Sequence, residues 1–290
     1  MPRVRSNGIE LEYESLGRPD DPALVLIMGL GAQLIDWPEE FCAQLTGQGF
    51  RVIRFDNRDA GLSTGFDELG PPDLAALLGG DRSAAPYRLA DMAADAAGLL
   101  DALDIGSAHV VGASLGGMVA QQLTLDHPDR VRSLGSLMSM TGDQSVGRAT
   151  PEAAAALGRP PAASRAEAIA NGVAGSRVIG SPGFPVDEAE RLRRATAKYD
   201  RAYRPVGTLR QYAAAVASPD RTAALRGVTA PTVVIHGDSD PLIDVSGGRA
   251  TAAAVPGAEL VIIPGMGHDL PRDVWPEIVD AIVRNTKRAA

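Results

Sequence analysis

One serine in this chain lies between glycines at the point where a strand pattern changes into a helical pattern. The sequence HVVGASLGGMVAQQL places Ser114 after an apolar β-branched run and before an apolar run with helical spacing. Glycines on both sides remove the Cβ atoms that would clash in a tight turn, and such a turn exposes the hydroxyl. A turn without a chemical role is the alternative. We interpret Ser114 as a nucleophile, with the Leu115 amide directed at a developing oxyanion.

A serine hydroxyl needs a base to take its proton, and the chain has four histidines. His109 opens the strand pattern before Ser114 and is too close in sequence to fold back onto it. His127 precedes a proline at a helix end, and His236 lies within an apolar strand pattern, which favours a packed or hydrogen-bonded side chain. His268 follows the last strand pattern on the loop PGMGHDLP, where a sheet presents catalytic groups. We expect His268 to be the general base.

The base in turn needs a carboxylate that holds its tautomer and stabilises the imidazolium. The segment HGDSDPLID offers Asp238, Asp240 and Asp244 just after a strand pattern. Asp240 precedes a proline that fixes the turn, and we expect it to be the acid. Asp238 is typical of a turn former. Asp143, which follows another strand pattern, is the alternative acid.

A second oxyanion donor is expected in LVLIMGLGAQLIDW, where a strand pattern runs into a glycine-containing loop. Leu30, between Gly29 and Gly31, is the candidate amide, and a simple glycine turn is the alternative. Contact with a substrate is expected from Gly29, Trp37 and Met266.

Strand and helix patterns alternate around these residues. Apolar β-branched runs bounded by turn residues predict strands over 22–29, 50–56, 108–113, 131–138, 231–237 and 258–265. Helical patterns lie over 37–48, 89–103, 115–127 and 274–285. Nearly continuous apolar strands indicate burial on both faces, so the fold class is α/β: a mostly parallel sheet covered on both sides. An antiparallel edge strand fits 8–17.

The alternation stops between residues 141 and 220. That stretch shows helix-like segments over 151–157 and 187–200 and no strand pattern. It is too long for a bare loop, so we expect a helical cap of residues 141–220 on a core domain of residues 1–140 and 221–290. The cap would cover the carboxyl edge of the sheet, where open α/β folds bind ligands.

The composition of the chain argues against several classes of binding partner and cofactor. The net charge of −8 argues against nucleic acid or an anionic membrane. Cys42 is the only cysteine, which excludes an internal disulfide and a cysteine-based zinc site. The N-terminus lacks the apolar core of a signal peptide, and the apolar stretch 23–32 falls short of the ~20 residues that span a bilayer. We expect a cytoplasmic monomer or homodimer without metal or organic cofactor.

In order along the chain, the MGLG loop, DNRDAGLS, GASLG, HGDSDP and GMGH resemble the α/β-hydrolase superfamily, including its order of serine, aspartate and histidine. DNRDAGLST resembles the family's D-x-R-x-x-G-x-S element, in which Asp56 and Arg58 would be scaffold. Many members have His-Gly where this chain has Met28-Gly29, which keeps the backbone donor but removes a side chain that often orders the loop.

More narrowly, LIMGLGAQLIDWPEEF, VIRFDNRDAGLST and IPGMGHDLP are similar to the aclacinomycin methylesterase group, which hydrolyses a methyl ester on an anthracycline polyketide. The resemblance implies a serine carboxylesterase that acts through an acyl-enzyme on an apolar, polyketide-like small molecule, under a cap that shapes the pocket. The alternatives are a C–C bond hydrolase or perhydrolase with the same triad, or a non-catalytic ligand receptor. Dehalogenases and epoxide hydrolases are disfavoured because their nucleophile is an aspartate.

Overall fold

A computed structural model describes residues 2–289 and shows one eight-stranded sheet in the order β1-β2-β4-β3-β5-β6-β7-β8. The strands are β1 (Arg3–Ser6), β2 (Ile9–Leu16), β3 (Ala23–Ile27), β4 (Arg51–Phe55), β5 (Ala108–Ala113), β6 (Val131–Leu137), β7 (Thr232–Gly237) and β8 (Glu259–Ile263). β2 is antiparallel to both of its neighbours, and the pairs from β4 to β8 are parallel. The α/β class is confirmed, and the strand predicted over 8–17 is antiparallel as expected, but it is not the edge, because the unpredicted β1 lies outside it.

Helices cover both faces of this sheet. They are α1 (Glu39–Gly47), α2 (Leu74–Leu78), α3 (Leu89–Ala102), α4 (Leu115–Asp126), α5 (Pro151–Leu157), α6 (Arg165–Ile179), α7 (Glu188–Arg201), α8 (Pro205–Ala217), α9 (Thr222–Leu225), α10 (Ser246–Ala254) and α11 (Trp275–Thr286). None of the helices within residues 2–289 has the length and apolar character needed to cross a bilayer.

Strand β3 shows why the buried strands are apolar throughout. Val25 and Ile27 belong to the core formed with α3 and α4, whereas Leu24 and Leu26 belong to the core formed with α1 and α11. Successive side chains of a strand point to opposite faces, so a strand between two helical layers needs an apolar residue at every position. Both cores are therefore built from the same uninterrupted runs.

The parallel registers bring the carboxyl ends of the central strands to one edge. Ile27 is paired with Gly112, Ala113 with Leu137, and Gly237 with Ile263. Loops that follow β3, β5, β7 and β8 therefore leave the sheet side by side. This edge is where the sequence places the serine, the acid, the base and the second oxyanion donor.

Residues 141–220, here called the helical insertion, contain α5 to α8 and no strand. The insertion is held to the loop after β4 by buried charge. Arg210 of α8 and Asp59 have fully buried side chains, and Nη2 and Nε of the arginine lie 2.7 and 2.8 Å from the two carboxylate oxygens. Tyr87 donates its hydroxyl to the same carboxylate over 2.8 Å. The division into core and cap domains stays a prediction.

We expect Arg210→Met to destabilise the protein strongly, by about 3–5 kcal/mol, because it leaves the Asp59 charge buried without its partner. Denaturant unfolding measures the loss. Arg193→Met is the control: its ion pair with Glu190 on α7 is largely exposed, so the free energy of unfolding should hardly change. Similar losses in both variants would contradict the assigned importance of the buried pair.

Candidate active site

Ser114 occupies a sharp turn between β5 and α4. Its backbone angles are φ 56° and ψ −123°, a left-handed conformation that a residue with a side chain rarely adopts. Its amide donates to Leu137 O over 2.9 Å, which ties the turn to β6. A Cβ on Gly112 would overlap the Gly116 carbonyl, and one on Gly116 would overlap the Ile27 carbonyl. The flanking glycines are thus required by close backbone approach, as predicted.

His268 and Asp240 form a buried pair beyond β7 and β8. The His268 Nδ1 atom lies 2.7 Å from Asp240 Oδ2. The other carboxylate oxygen, Oδ1, accepts the amides of Leu242 and Ile243 over 2.8 and 2.9 Å. Burial alone would raise the pKa of the Asp240 carboxyl, but the His268 charge and the hydrogen bonds to the carboxylate outweigh it and hold that pKa well below its usual value. Asp240 is therefore ionised at neutral pH.

A second histidine lies on the same carboxylate. The Nε2 atom of His236 is 2.7 Å from Ile243 O and 3.4 Å from Asp240 Oδ2. Since carbonyl and carboxylate oxygens can only accept, Nε2 carries a proton. His236 Nδ1 is buried without a hydrogen-bond partner among residues 2–289. The predicted packed role of His236 agrees with this position, but the sequence did not reveal its closeness to Asp240.

Two backbone amides beside Ser114 are available to bind an oxyanion. The Leu115 amide is the first of α4 and has no intrahelical partner. Within residues 2–289, neither this amide nor that of Leu30 donates a hydrogen bond. A Cβ on Gly29 would lie 3.0 Å from Ser114 Cβ and 3.5 Å from its hydroxyl, so the loop before Leu30 passes directly over the serine. The assignment of the Leu30 and Leu115 amides as oxyanion donors stays a prediction.

The structure joins His268 to Asp240 and brings Gly29 onto Ser114. No hydrogen bond between the Ser114 hydroxyl and His268 is present within residues 2–289. Catalytic contacts of this kind are commonly long without substrate and tighten only in the substrate complex. The three groups nevertheless follow strands β5, β7 and β8 at one edge of one sheet, with only β6 between the serine and the acid.

Two expected substrate contacts lie elsewhere. Trp37 and Met266 have 0 % exposed surface and belong to the core beneath α1 and α11, where Trp37 stacks on Phe41 with ring centroids 5.6 Å apart. Neither side chain offers a surface to a ligand in this structure. The expectation is corrected: Trp37 follows the MGLG loop and Met266 lies within the GMGH motif, but both side chains are packed in this core. Gly29 keeps its place beside the serine.

Other candidate groups have local roles. Asp143 accepts the Ser145 amide and hydroxyl over 2.8 and 2.7 Å, and Asp238 accepts the Gly265 amide over 2.7 Å. Burial lowers the pKa of His109 to about 4, with Arg132 adding to the effect, so this histidine is neutral at pH 7. Burial raises the pKa of the Cys42 thiol to about 11, so it is not a thiolate nucleophile.

No group of three or more histidine, cysteine or acidic side chains within residues 2–289 is arranged to hold a metal ion. The amino-acid types at the candidate site, a serine with a buried histidine and carboxylate, match nucleophilic catalysis.

Comparison with known proteins decides the family. The alpha/beta hydrolase fold model matches residues 22–271, most of the chain. The chain belongs to the alpha/beta hydrolase family. Rhodomycin D methylesterase DnrP from Streptomyces peucetius is 30 % identical over 305 residues, which cover 99 % of this chain and 98 % of the relative. 3-Oxoadipate enol-lactonase 2 from Acinetobacter baylyi is 27 % identical and covers 85 % of this chain and 82 % of its own length.

Solved structures support the same fold. The enol-lactonase from Burkholderia xenovorans LB400 matches with a TM-score of 0.73 at 23 % identity, over 99 % of this chain and all of the other. A hydrolase from Pseudomonas aeruginosa PA01 matches with a TM-score of 0.72 at 28 % identity, over 99 % and 97 % of the two chains. With the full-length match to a methylesterase, these results make this alpha/beta hydrolase an ester-hydrolysing enzyme.

Proposed function

We propose that this alpha/beta hydrolase is a serine carboxylesterase that cleaves its substrate through an acyl-enzyme. The observation that carries the proposal is the position of Ser114 in a left-handed turn, beside two backbone amides that donate no hydrogen bond among the described residues. The His268–Asp240 pair lies at the same edge of the sheet. Nucleophile, base, orienting acid and oxyanion donors are the complete set that acyl transfer needs.

The first half-reaction transfers the acyl group to the enzyme. Because His268 Nδ1 faces Asp240, Nε2 is the nitrogen left to accept the serine proton. The Ser114 oxygen then forms a bond to the carbonyl carbon, and the Leu30 and Leu115 amides stabilise the negative charge on the former carbonyl oxygen. As the carbonyl re-forms, the ester C–O bond breaks and His268 gives the proton to the leaving alcohol.

Water completes the cycle by the same route. His268 takes a proton from a water molecule, whose oxygen attacks the acyl carbon, and then returns the proton to Ser114 as the acid leaves. Asp240 stabilises the imidazolium in both halves without taking its proton. Each proton that His268 takes up is returned within the same half-reaction, so no further residue is needed to balance the protons.

The substrate class is inferred from the methylesterase match, which extends over the helical insertion as well as the core. We infer a methyl ester on an apolar, polyketide-like small molecule, bound between the insertion and the sheet edge. Cytoplasmic location and a monomeric or homodimeric state remain predictions.

A substrate panel combined with active-site labelling tests the function. We expect methyl esters of aromatic polyketide acids to release acid and methanol in equal amounts, and a fluorophosphonate probe to label Ser114, as peptide mass mapping would show. Vinylogous diketones and hydrogen peroxide with acetate serve as competing substrates. Faster turnover of either would favour a C–C hydrolase or a perhydrolase, and absence of labelling with absence of turnover would favour a ligand receptor.

A further inference from the structure

One glutamine of the helical insertion holds the loop that carries Leu30. Gln211 lies on α8 and its side chain is fully buried. Its Oε1 accepts the Gly31 amide over 2.8 Å, and its Nε2 donates to Arg58 O over 2.6 Å. The second bond fixes which way the amide group points, so the oxygen is presented to Gly31. Both partners belong to loops at the carboxyl edge, after β3 and β4.

The Leu30 loop (residues 28–33) is held from the other side by the core. Asn57 Nδ2 donates to Met28 O over 2.9 Å, and Ala32 N donates to Gly29 O over 3.2 Å. The side-chain amides of Asn57 and Gln211 thus hydrogen-bond to the backbone before and after Leu30, at Met28 O and Gly31 N. At the far end of the loop, Gln33 Nε2 donates to Lys198 O and Ala202 O over 2.9 Å each. Between Met28 and Gly31 no further side-chain hydrogen bond is present among the described residues, and the Leu30 amide has no acceptor there.

This loop needs an external anchor because of its composition. Leu30 lies between two glycines, and glycine has the largest backbone freedom of any residue. Gly31 has φ 61°, and a Cβ there would clash with the Thr208 side chain one turn before Gln211 on α8. Helix α8 therefore packs directly on the Gly31 backbone. Without that contact the peptide units around Leu30 could rotate, and the donor amide would lose its direction.

We propose that Gln211 is a positioning residue that aligns the Leu30 amide as an oxyanion donor. This inference rests on the proposed function, because it gives Gln211 of the helical insertion a role in the proposed oxyanion site. Its physical basis is preorganisation: a donor stabilises a transition state best when its orientation is already set before charge develops. Arg210, the neighbouring residue on α8, is fixed to Asp59, so the anchor itself is rigid.

The inference couples the helical insertion to the chemical step. Because Arg210 fixes α8 to Asp59, Gln211 holds Gly31 before substrate binds. The Leu30 donor is then oriented in the free enzyme, as preorganisation requires.

The test compares two buried glutamines. Gln211→Met keeps the length and volume of the side chain and removes both hydrogen bonds. Gln121→Met on α4 is the matched control, because Gln121 is equally buried and bonds Ser136 and Arg221 over 3.2 Å each. Each variant is assayed for kcat and KM per titrated active site, for thermal stability and for inhibition by a trifluoromethyl ketone, whose serine adduct carries an oxyanion.

We expect Gln211→Met to lower kcat by about 10–100-fold, below the roughly 10²–10³-fold loss of a whole donor, with KM changed less than about threefold. The trifluoromethyl ketone should lose affinity by the same factor as kcat/KM. Gln121→Met should lose thermal stability but keep kcat per site and inhibitor affinity. If Gln211→Met does not fold, Gln211→Asn takes its place; its side chain is one methylene too short to reach both partners, and kcat should fall several-fold.

An unchanged kcat and inhibitor affinity per titrated site in the folded Gln211 variant would overturn the inference, since Gln211 would then be structural only. Failure of the proposed function gives a different result. In that case the wild-type enzyme itself would show no ester turnover and no titratable serine, and the inference would fall with it.

Discussion

Ser114→Ala should reduce kcat for ester hydrolysis by roughly 10⁶-fold, the largest effect expected of a single substitution in this protein. The change removes the atom that would form the acyl bond, while the Leu30 and Leu115 amides and the His268–Asp240 pair remain. A small rate above that of water should persist because oxyanion stabilisation and binding do not need the hydroxyl. Alanine has the same Cβ at φ 56°, so the backbone strain of the turn is unchanged.

The measurement is kcat on a methyl ester, together with fluorophosphonate labelling and a thermal melt. Ser133→Ala is the matched control: this buried serine lies on β6, opposite His109, to which it is hydrogen-bonded over 2.8 Å, at the far end of β5 from Ser114. The control should label fully and turn over normally. More than about 1 % of wild-type activity in Ser114→Ala, free of contaminating enzyme, would refute its role as nucleophile.

The core of the fold could be predicted because its signals are local. Strands buried on both faces must be apolar at successive positions, and the sequence carries such runs for β3 to β8. The helices and strands that were not predicted have weaker sequence patterns. β1 is four residues long and only one of them is buried. α10 reads SGGRATAAA, where two glycines weaken the helical pattern. In α6, Gly172 and Gly175 interrupt the helical pattern, and only Ile169 is buried.

The candidate residues at the sheet edge could be predicted for a similar reason. Ser114, Asp240 and His268 each follow a strand, and parallel strands bring their carboxyl ends together, so topology alone places them near one another. That topology also explains how an acid and a base 28 residues apart share a hydrogen bond. Their chemical roles remain proposals to be tested by the variants described here.

Contacts across the helical insertion could not be predicted, because nothing local specifies them. Gln211 meets Gly31 across 180 positions of sequence, and Arg210 meets Asp59 across 151. A polar residue in a helical pattern is normally exposed, so the residue type alone does not predict that Gln211 or Arg210 is buried against a loop of the core. The misplacement of Trp37 has the same origin, since an aromatic residue after a motif loop has the same letter whether it lines a pocket or the core.

Asp240→Asn should lower kcat by about 10⁴-fold while the protein stays folded. Two backbone amides determine how the asparagine side chain would be oriented. The Leu242 and Ile243 amides both point at Oδ1, so the single oxygen of asparagine will be held there. Its NH₂ group then faces His268 Nδ1 and donates to it, which moves the imidazole proton to Nε2. A protonated Nε2 cannot accept the serine proton, and general-base catalysis is lost.

Asp244→Asn is the matched control for that variant. Asp244 lies four residues further on, is exposed and accepts the Ser246 amide over 3.0 Å, so near-normal kcat is expected. A comparable loss in both variants, or normal activity in Asp240→Asn, would exclude Asp240 as the orienting acid and reopen the place for Asp143. Histidine chemical shifts of the His268 ring would show the change of tautomer directly.

The same substitution should also change how stability depends on pH. The pKa of Asp240 is lower in the folded protein than the ordinary value of about 3.9, so the ionised carboxylate stabilises the fold at every pH above that value. This contribution is lost as the pH falls below about 4 toward the folded-state pKa. We therefore expect Asp240→Asn to be less stable than wild type at pH 7 and the difference to shrink in acid. Urea unfolding of both proteins at pH 7, 5 and 3 measures it. A difference that grows with falling pH would contradict the lowered pKa, because the wild-type carboxylate would then gain stability where it should be losing its charge.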